Sequence, residues 1–270
     1  MTTVEIIRPG RFVELLGNDP ALAHGYGVFE TIRVEASAVQ FWHAHWKRIN
    51  ASARHFGIAL AVSEEAVLSA IRELVLEQDP KGILIIKLSA IRTEAGARLL
   101  LYSRAMRPRA DQLNLLVGRE NEIHARSLLA GHKTHNYMEN RILMERAAAV
   151  GCYDILRCDS EGNVAEGSIS NVFWEKAGEL YTPAEETGLL SGVVRSALLD
   201  NLGVNVGLYP LEELISAECV YLTNSSLGVQ SVGSLQFEDG RPALELKLSP
   251  LRSQIDSAFS AAVDFGALAL

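Results

Sequence analysis

Two short motifs contain residue types that can act together in catalysis. Lys133 lies in the run H-K-T-H-N-Y, and Glu166 begins the run E-G-S-I-S-N-V-F, 33 residues later (166 − 133). A lysine amine can bind an aldehyde as a Schiff base. A carboxylate can keep a pyridine nitrogen protonated, so that the ring accepts electrons. The pair therefore predicts a cofactor that has both an aldehyde and a pyridine ring.

The residues around both positions resemble the fold-type IV pyridoxal-phosphate enzymes, a family that includes branched-chain and D-amino-acid aminotransferases and aminodeoxychorismate lyase. Asn136 and Tyr137 follow Lys133 as in K-x-x-N, and E-G-S-I-S-N-V-F matches the family's E-x-x-x-x-N-[hydrophobic]-F. The resemblance implies pyridoxal 5'-phosphate as cofactor. It implies that Lys133 is the Schiff-base lysine, that Tyr137 contacts the cofactor and that Glu166 faces its pyridine nitrogen. We expect Asn171 to hold the loop in place.

The same resemblance implies a set of phosphate contacts. The segment S-G-V-V-R opens a predicted helix, and the amides of Val193 and Val194 match the family's phosphate-binding G-[IV]-[TV]-R segment. Free N–H groups at a helix start suit a phosphate dianion. Arg48, in H-W-K-R-I-N-A-S-A, matches the arginine that grips the phosphate. Ser225 matches a hydroxyl that hydrogen-bonds it.

The substrate side departs more from the family pattern. In the loop N-S-S-L-G-V, Ser226 and Leu227 match positions whose backbone amides meet the substrate. Thr31 either assists proton transfer or is only a β-branched strand residue. Arg92 either meets a substrate carboxylate or simply ends a strand. Phe29 replaces a tyrosine of the D-amino-acid aminotransferases, which weakens that interpretation.

The family resemblance leaves two reactions open for a small-molecule amino substrate. The favoured one is a lyase reaction that converts 4-amino-4-deoxychorismate to 4-aminobenzoate and pyruvate in folate precursor synthesis. The short chain, the Lys133–Asn136 spacing and the N-S-S-L-G-V loop favour it. The alternative is a class IV aminotransferase acting on branched-chain or D-amino acids. A binding protein without chemistry is a third hypothesis, which the presence of both Lys133 and Glu166 makes unattractive.

The composition limits which binding partners and which cellular compartment we expect for the protein. The chain has 270 residues, 48% of them hydrophobic, and a net charge of −8, which argues against nucleic-acid binding. No run of 18 apolar residues is present, so we expect no membrane span. The cysteines, Cys152, Cys158 and Cys219, have no metal-like spacing and are expected to be buried or inert thiols in the cytoplasm. The resemblance also implies a homodimer.

The histidines near the proposed site do not have the spacing of a metal site. His45, His132 and His135 suit no single ligand set, and pyridoxal phosphate needs no metal. We therefore predict no metal and expect these side chains to make hydrogen bonds within a helix or loop.

The pattern of hydrophobic residues predicts an α+β fold in two sub-domains, residues 1–108 and 109–270, with a cleft between them. A cleft of this kind is a natural site for the cofactor, and the resemblance implies that the second sub-domain carries the Schiff-base lysine. The polar run 106–112 is the expected linker. The predicted helices cover residues 43–56, a segment starting at Ser63, 136–150 and 192–202. The predicted strands lie within 26–42 around a turn near residues 35–37, and at 83–91, 97–103, 113–117, 153–158, 163–166, 171–175, 179–182 and 219–222.

Overall fold

The computed structural model describes residues 4–8, 11, 13–78, 81–104, 106, 111–247 and 249–270. The strands are β1 (Val4–Ile6), β2 (Gly27–Glu35), β3 (Ala38–Val39), β4 (Ile83–Thr93), β5 (Gly96–Arg104), β6 (Leu113–Ile123), β7 (Asp154–Asp159), β8 (Val164–Gly167), β9 (Asn171–Lys176), β10 (Glu179–Pro183), β11 (Val204–Gly207), β12 (Cys219–Asn224), β13 (Gly228–Phe237), β14 (Leu244–Glu245) and β15 (Leu268–Ala269). The α-helices are α1 (Pro20–His24), α2 (Trp42–His55), α3 (Glu64–Gln78), α4 (Met138–Ala149), α5 (Val193–Asn201), α6 (Leu211–Ile215) and α7 (Arg252–Gly266). The predicted α+β class is confirmed. Within the part of the chain that is described, no helix is long and apolar enough to cross a membrane.

Backbone contacts divide the chain into two units. The first contains the described residues of Met1–Pro108 together with His132–Asn136 and Val263–Leu270. The second contains the described residues of Arg109–Gly131 and Tyr137–Ala262. The predicted boundary between residues 108 and 109, and most of the predicted linker, lie outside the described residues.

By its backbone contacts Lys133 belongs to the first unit, whereas the sequence analysis expects it in the C-terminal sub-domain. The reason is main-chain pairing with β2. Phe29 N donates to Lys133 O at 2.8 Å, and His135 N donates to Gly27 O at 2.8 Å. A bridge between Val28 and Thr134 lies between these two bonds. The segment His132–Asn136 therefore follows β2 rather than its neighbours in sequence.

The first unit is built on a six-stranded sheet with the order β1-β5-β4-β2-β3-β15. The predicted strands at 83–91 and 97–103 correspond to β4 and β5, which pair antiparallel, and β2 pairs with β4 along its whole length. The side chains of β2 alternate between the two faces of the sheet, as in any strand. One face carries Val28, Ile32 and Val34, which join the hydrophobic core with apolar residues of α2 and α3. The other face carries Phe29 and Thr31.

The hairpin after β2 turns through Ala36 and Ser37, which both have positive φ (46° and 62°). This agrees with the predicted turn near residues 35–37. The second predicted strand, however, ends early, because β3 stops at Val39 and α2 begins at Trp42. Phe41 has a left-handed conformation (φ 52°), which ends the extended backbone before the helix.

Helix α3 begins where the sequence predicts. Ser63 Oγ accepts a hydrogen bond from Ala66 N at 3.2 Å, as an N-cap serine does. The sequence also predicts that Asp79-Pro80-Lys81-Gly82 ends this helix; α3 ends at Gln78, and residues 79 and 80 lie outside the described residues.

The second unit contains a nine-stranded sheet with the order β11-β10-β9-β12-β13-β6-β7-β8, and β14 pairs with β13. Val172 and Trp174 of β9 and Val220 and Leu222 of β12 are in its core. Their alternate neighbours therefore occupy the opposite face. The three cysteines are buried and form no disulfide, which confirms the prediction of buried thiols.

Candidate active site

In the first unit, β2 positions Lys133. The lysine backbone is held by the bonds to Phe29 and Gly27 described above, and its Nζ lies 4.6 Å from the centroid of the Phe29 ring. Gly27 is required here, because a Cβ at this position would lie 2.7 Å from His135 Cδ2. Asn136 closes the segment by donating from Nδ2 to Gly25 O at 3.3 Å. The spacing K-x-x-N thus has a structural reason in this chain.

A second amine lies beside the same aromatic ring. Lys87 Nζ is 3.9 Å from the centroid of Phe29, and Lys87 is paired with Thr31 across β2 and β4. Burial, and to a smaller extent the positive charge of Arg104, lower the pKa of Lys87 to about 8. Lys87, Thr31 and Phe29 share the face of the sheet away from the core. Sequence reasoning missed Lys87, although the lysine of K-L-S-A-I-R was the available signal.

His135 lies beside these groups as a neutral side chain. Its ring centroid is 5.3 Å from that of Phe29. Burial and then the charge of Lys87 lower the pKa of His135 to about 4. Its Nε2 is buried and has no hydrogen-bond partner among the described residues.

Arg92 does not share this face. It is five residues after Lys87 (92 − 87), and an odd separation along a strand puts two side chains on opposite faces. The guanidinium carbon lies 5.1 Å from the centroid of the Tyr26 ring, and Nη1 donates to Tyr26 Oη at 3.4 Å. Of the two interpretations offered for Arg92, the structure favours the strand-end residue over the substrate contact.

Arg48 on α2 pairs with a carboxylate that the sequence analysis did not single out. Its Nε donates to Glu30 Oε1 at 2.8 Å and its Nη2 donates to Glu30 Oε2 at 2.6 Å. His45 Nδ1 lies 2.8 Å from Glu30 Oε2. His132 Nδ1 similarly lies 2.9 Å from Ser52 Oγ. The prediction that His45 and His132 make hydrogen bonds is confirmed.

In the cluster of Glu30, Arg48 and His45, the surroundings keep the Glu30 carboxylate ionised and the His45 imidazole neutral. Burial by itself would raise the pKa of Glu30, but the charge and hydrogen bonds of Arg48 outweigh burial and lower that pKa to about 2. Burial lowers the pKa of His45, and its hydrogen bond to Glu30 only partly opposes that effect. The cluster is therefore one carboxylate and one guanidinium, with a neutral imidazole as additional donor.

In the second unit, Glu166 lies on β8 and is oriented by two donors. Asn171 Nδ2 lies 3.1 Å from Glu166 Oε2, and Leu190 N donates to the same oxygen at 3.0 Å. Asn171 Nδ2 also donates to Leu190 O at 2.8 Å. Asn171 thus ties the carboxylate to the segment before α5, in line with the structural role expected for it.

The loop between β8 and β9 is held in place by Asp154, a residue that no sequence motif indicates. The Asp154 carboxylate accepts hydrogen bonds from the hydroxyls of Ser168 and Ser170 and from the backbone N of Ser168 and Ile169. Burial raises the pKa of Asp154, and these hydrogen bonds oppose the shift. Two serines of E-G-S-I-S-N therefore hold the loop in place. Tyr137 meets the same loop, with Oη 3.5 Å from Ser168 O.

The start of α5 is packed tightly against Asn171. A Cβ at Gly192 would lie 2.1 Å from Asn171 Oδ1. The first backbone hydrogen bond of the helix is donated by Ser196 N to Gly192 O at 2.8 Å. The N–H groups of Val193 and Val194 come before it, in the first turn, where N–H groups have no acceptor within the helix. Arg195 is buried and donates to Pro183 O at 2.7 Å, which is a structural contact.

The loop after β12 differs from the prediction. Asn224 Oδ1 accepts from Ser226 N at 3.0 Å and from Leu227 N at 2.8 Å. The two amides expected to meet the substrate are therefore used by a local side-chain turn, which is what asparagine commonly forms. Ser225 lies at the tip of this turn and is half-buried. Thr223 Oγ1 is buried and has no hydrogen-bond partner in the described part of the chain.

Comparison with known proteins identifies the class. The sequence model of the family described as amino-transferase class IV matches residues 27–235. The chain belongs to this family of pyridoxal-phosphate enzymes, and the predicted cofactor is confirmed.

Individual relatives and a solved structure agree with this class. The chain is 28% identical over 245 residues to an aminodeoxychorismate lyase of Bacillus subtilis (82% of this chain, 83% of the relative). It is 27% identical over 217 residues to a probable branched-chain-amino-acid aminotransferase of Thermotoga maritima (77% of each chain). Its fold matches a crystal structure from Legionella pneumophila, provisionally named 4-amino-4-deoxychorismate lyase, with a TM-score of 0.85 and 24% identity (97% of this chain, 100% of that chain). The predicted fold-type IV architecture is confirmed.

The residues present fit this cofactor. Thr223, whose buried hydroxyl has no hydrogen-bond partner among the described residues, is paired with Asn171 across β12 and β9. A buried hydroxyl without a partner is costly, and a ligand atom would satisfy it. Within the second unit, the carboxylate of Glu166 is of the type that a protonated pyridine nitrogen requires.

Replacing Gly192 by alanine should disturb this arrangement, because the new Cβ would displace Asn171. We expect the free energy of unfolding to fall by about 1–3 kcal/mol, as for other overpacked sites. Urea denaturation would measure the change. Gly203→Ala is the matched control, because nothing lies within 4 Å of a Cβ at Gly203. Equal stability of the two variants would contradict the tight packing described for Gly192.

Proposed function

We propose that this protein is a pyridoxal-phosphate-dependent lyase that converts 4-amino-4-deoxychorismate to 4-aminobenzoate and pyruvate. The similarity to the Bacillus subtilis aminodeoxychorismate lyase, which extends over 82% of this chain, is the observation that carries the proposal. The two amines beside Phe29 support it, because the proposed substrate has two carboxylates. One amine is needed for the cofactor, and the second is then available for a substrate anion.

Lys133 and Glu166 are proposed to hold the reactive parts of the cofactor. When bound, pyridoxal phosphate supplies an aldehyde for the substrate amine and a ring that withdraws electrons from the carbon bearing that amine. Lys133 would attach the cofactor at rest and, once released, remove the proton from that carbon. Glu166 would keep the pyridine nitrogen protonated, with Asn171 and Leu190 N orienting its carboxylate.

Four further groups are proposed to hold the phosphate. Arg48 would supply the charge, Val193 and Val194 would supply backbone amides, and Ser225 would supply a hydroxyl. The N–H groups in the first turn of a helix suit an anion, because they have no acceptor within the helix and lie at the positive end of the helix dipole. Tyr137 would contact the cofactor from the start of α4.

Lys87 and Thr31 are proposed to serve the substrate. Lys87 is partly buried and has no acidic partner among the described residues, so a substrate carboxylate would supply the missing counter-charge. Thr31 lies opposite Lys87 in the sheet, and its hydroxyl would pass a proton to the departing pyruvate. Arg92, on the opposite face, has no part in this proposal. Ser226 and Leu227 would contact the substrate only if Asn224 released their amides.

An aminotransferase acting on branched-chain or D-amino acids is the second candidate. The similarity to the Thermotoga maritima relative, at 27% identity, is the observation that favours it. In that reaction Lys133 would return the proton to the cofactor rather than allow loss of the side chain, and a keto acid would leave. Both reactions need the same cofactor-binding residues.

A direct assay separates the two reactions. The purified protein, loaded with pyridoxal phosphate, should release 4-aminobenzoate and pyruvate in equal amounts from 4-amino-4-deoxychorismate, as followed by fluorescence and by coupled pyruvate reduction. In parallel, L- and D-amino acids should be tested with 2-oxoglutarate. Amino transfer without any 4-aminobenzoate would exclude the lyase and support the second candidate.

Replacing Lys133 by alanine should abolish covalent attachment of the cofactor and lower activity by at least about 10²-fold, because the variant has neither the attaching amine nor the proton-transferring base. Borohydride reduction followed by mass spectrometry would detect the attachment. Lys87→Ala is the matched control, since it removes the other amine beside Phe29 and should leave the attachment intact. Attachment that survives in Lys133→Ala and disappears in Lys87→Ala would reverse the assignment.

We further propose that the protein is a homodimer, as the family resemblance implies. Helix α4 supports this with Met138 and Ile142, which are 76% and 50% exposed and lie four residues apart on one helix face. Light scattering should give twice the chain mass of 29.5 kDa. Met138→Glu should weaken the association, whereas Leu208→Glu, at another exposed apolar residue, should not. A wild-type mass of one chain at micromolar concentration would disprove the dimer.

A further inference from the structure

Glu30 forms a buried ion pair with Arg48 and a further hydrogen bond with His45. The side chain is 1% exposed and lies on the face of β2 that is turned towards the core. Arg48 and His45 lie three residues apart on α2, so both reach the same carboxylate. Glu30 has three hydrogen bonds, two from Arg48 and one from His45, which together use both of its carboxylate oxygens.

Stability alone does not explain such a pair. Burying two charges costs desolvation energy, and apolar side chains of similar volume are often equally stable or better. The neighbours of Glu30 on the same strand face, Val28 and Ile32, are apolar and join the core. A carboxylate in this row therefore points to a role in orienting its partner.

Glu30 binds one edge of the Arg48 guanidinium, and this determines the direction of the other edge. Arginine has five N–H donors in a rigid planar fork. Glu30 takes the edge formed by Nε and Nη2. The other edge, formed by Nη1 and Nη2, is thereby directed away from Glu30. Because the guanidinium is planar and rigid, fixing its Nε–Nη2 edge also fixes the orientation of its Nη1–Nη2 edge. Two N–H groups on such an edge match the spacing of two phosphate oxygens.

We propose that Glu30 is a positioning residue that orients Arg48 to bind the phosphate of the cofactor, with His45 holding the Glu30 carboxylate in register. This rests on the proposed function, in which Arg48 contacts the phosphate. Glu30 itself touches neither cofactor nor substrate. Its effect should therefore be confined to ligands that carry a phosphate.

The test compares two ligands that differ only in that group. The affinity of the apoprotein for pyridoxal phosphate and for pyridoxal is measured by equilibrium titration. Glu30→Gln should lower the affinity for pyridoxal phosphate about 10-fold or more, the equivalent of losing one charge-assisted contact. It should change the affinity for pyridoxal by less than about twofold. Glu35→Gln is the matched control, because Glu35 lies on the same strand and pairs with Arg33 at 2.9 Å.

Further variants keep the test decisive if Glu30→Gln folds poorly. Glu30→Asp retains the charge but withdraws the carboxylate by one methylene, and it should show a smaller loss in the same direction. An equal loss of affinity for both ligands would indicate a packing role and overturn the proposal. In an Arg48→Ala background, Glu30→Gln should not lower the preference for the phosphorylated ligand any further. An additional loss there would show that Glu30 does not act through Arg48.

Two outcomes separate this inference from the proposed function. If Arg48→Ala leaves the preference for the phosphorylated ligand unchanged, Arg48 is not the phosphate anchor and the inference fails, while the lyase assignment stands. If the wild-type protein binds no pyridoxal phosphate, the proposed function itself fails.

Discussion

The position of the reactive lysine depends on two main-chain hydrogen bonds between β2 and residues 132–136. Phe29 N donates to Lys133 O, and His135 N donates to Gly27 O, each at 2.8 Å. Backbone bonds of this kind restrict the lysine Cα while leaving its side chain able to reach a ligand. They also require a residue without a side chain at Gly27. The same strand carries Glu30, which holds Arg48, and Thr31, which is proposed to transfer a proton. One rigid element therefore fixes the lysine backbone, the partner of the arginine and the threonine hydroxyl.

Three carboxylates, one in the first unit and two in the second, are satisfied in three different ways. Glu30 is paired with a guanidinium, which keeps its pKa at about 2 despite burial. Among the described residues, Asp154 has only hydroxyl and backbone N–H donors, and burial raises its pKa. Glu166 is half-buried and oriented by an amide side chain and a backbone N–H. A cation neutralises the charge of a carboxylate, whereas neutral donors orient the carboxylate and leave its charge available to a ligand. The type of donor therefore distinguishes Glu30, which pairs with Arg48, from Glu166, which is proposed to face the pyridine nitrogen.

The local elements were largely predictable, because strand alternation and helix periodicity are local properties. The pair β4–β5, the turn at Ala36–Ser37 and the start of α3 follow the sequence prediction. The C-terminal helix α7 was not predicted. The site was predictable only where a motif names a residue by its chemistry, as for Lys133 and Glu166. Asp154 carries no motif of its own, and its role follows only from the serine hydroxyls that it binds.

The sequence by itself determined the family and the cofactor, because the amine of Lys133 and the carboxylate of Glu166 are recognisable from residue type and spacing. Only the tertiary structure decided how the surrounding charges are used. The run K-L-S-A-I-R contains two cations, and the orientation of β4 in the sheet puts Lys87 beside Phe29 and Arg92 against Tyr26. The physical reason is that a strand alternates locally, whereas the face that meets the core is set by packing against distant residues.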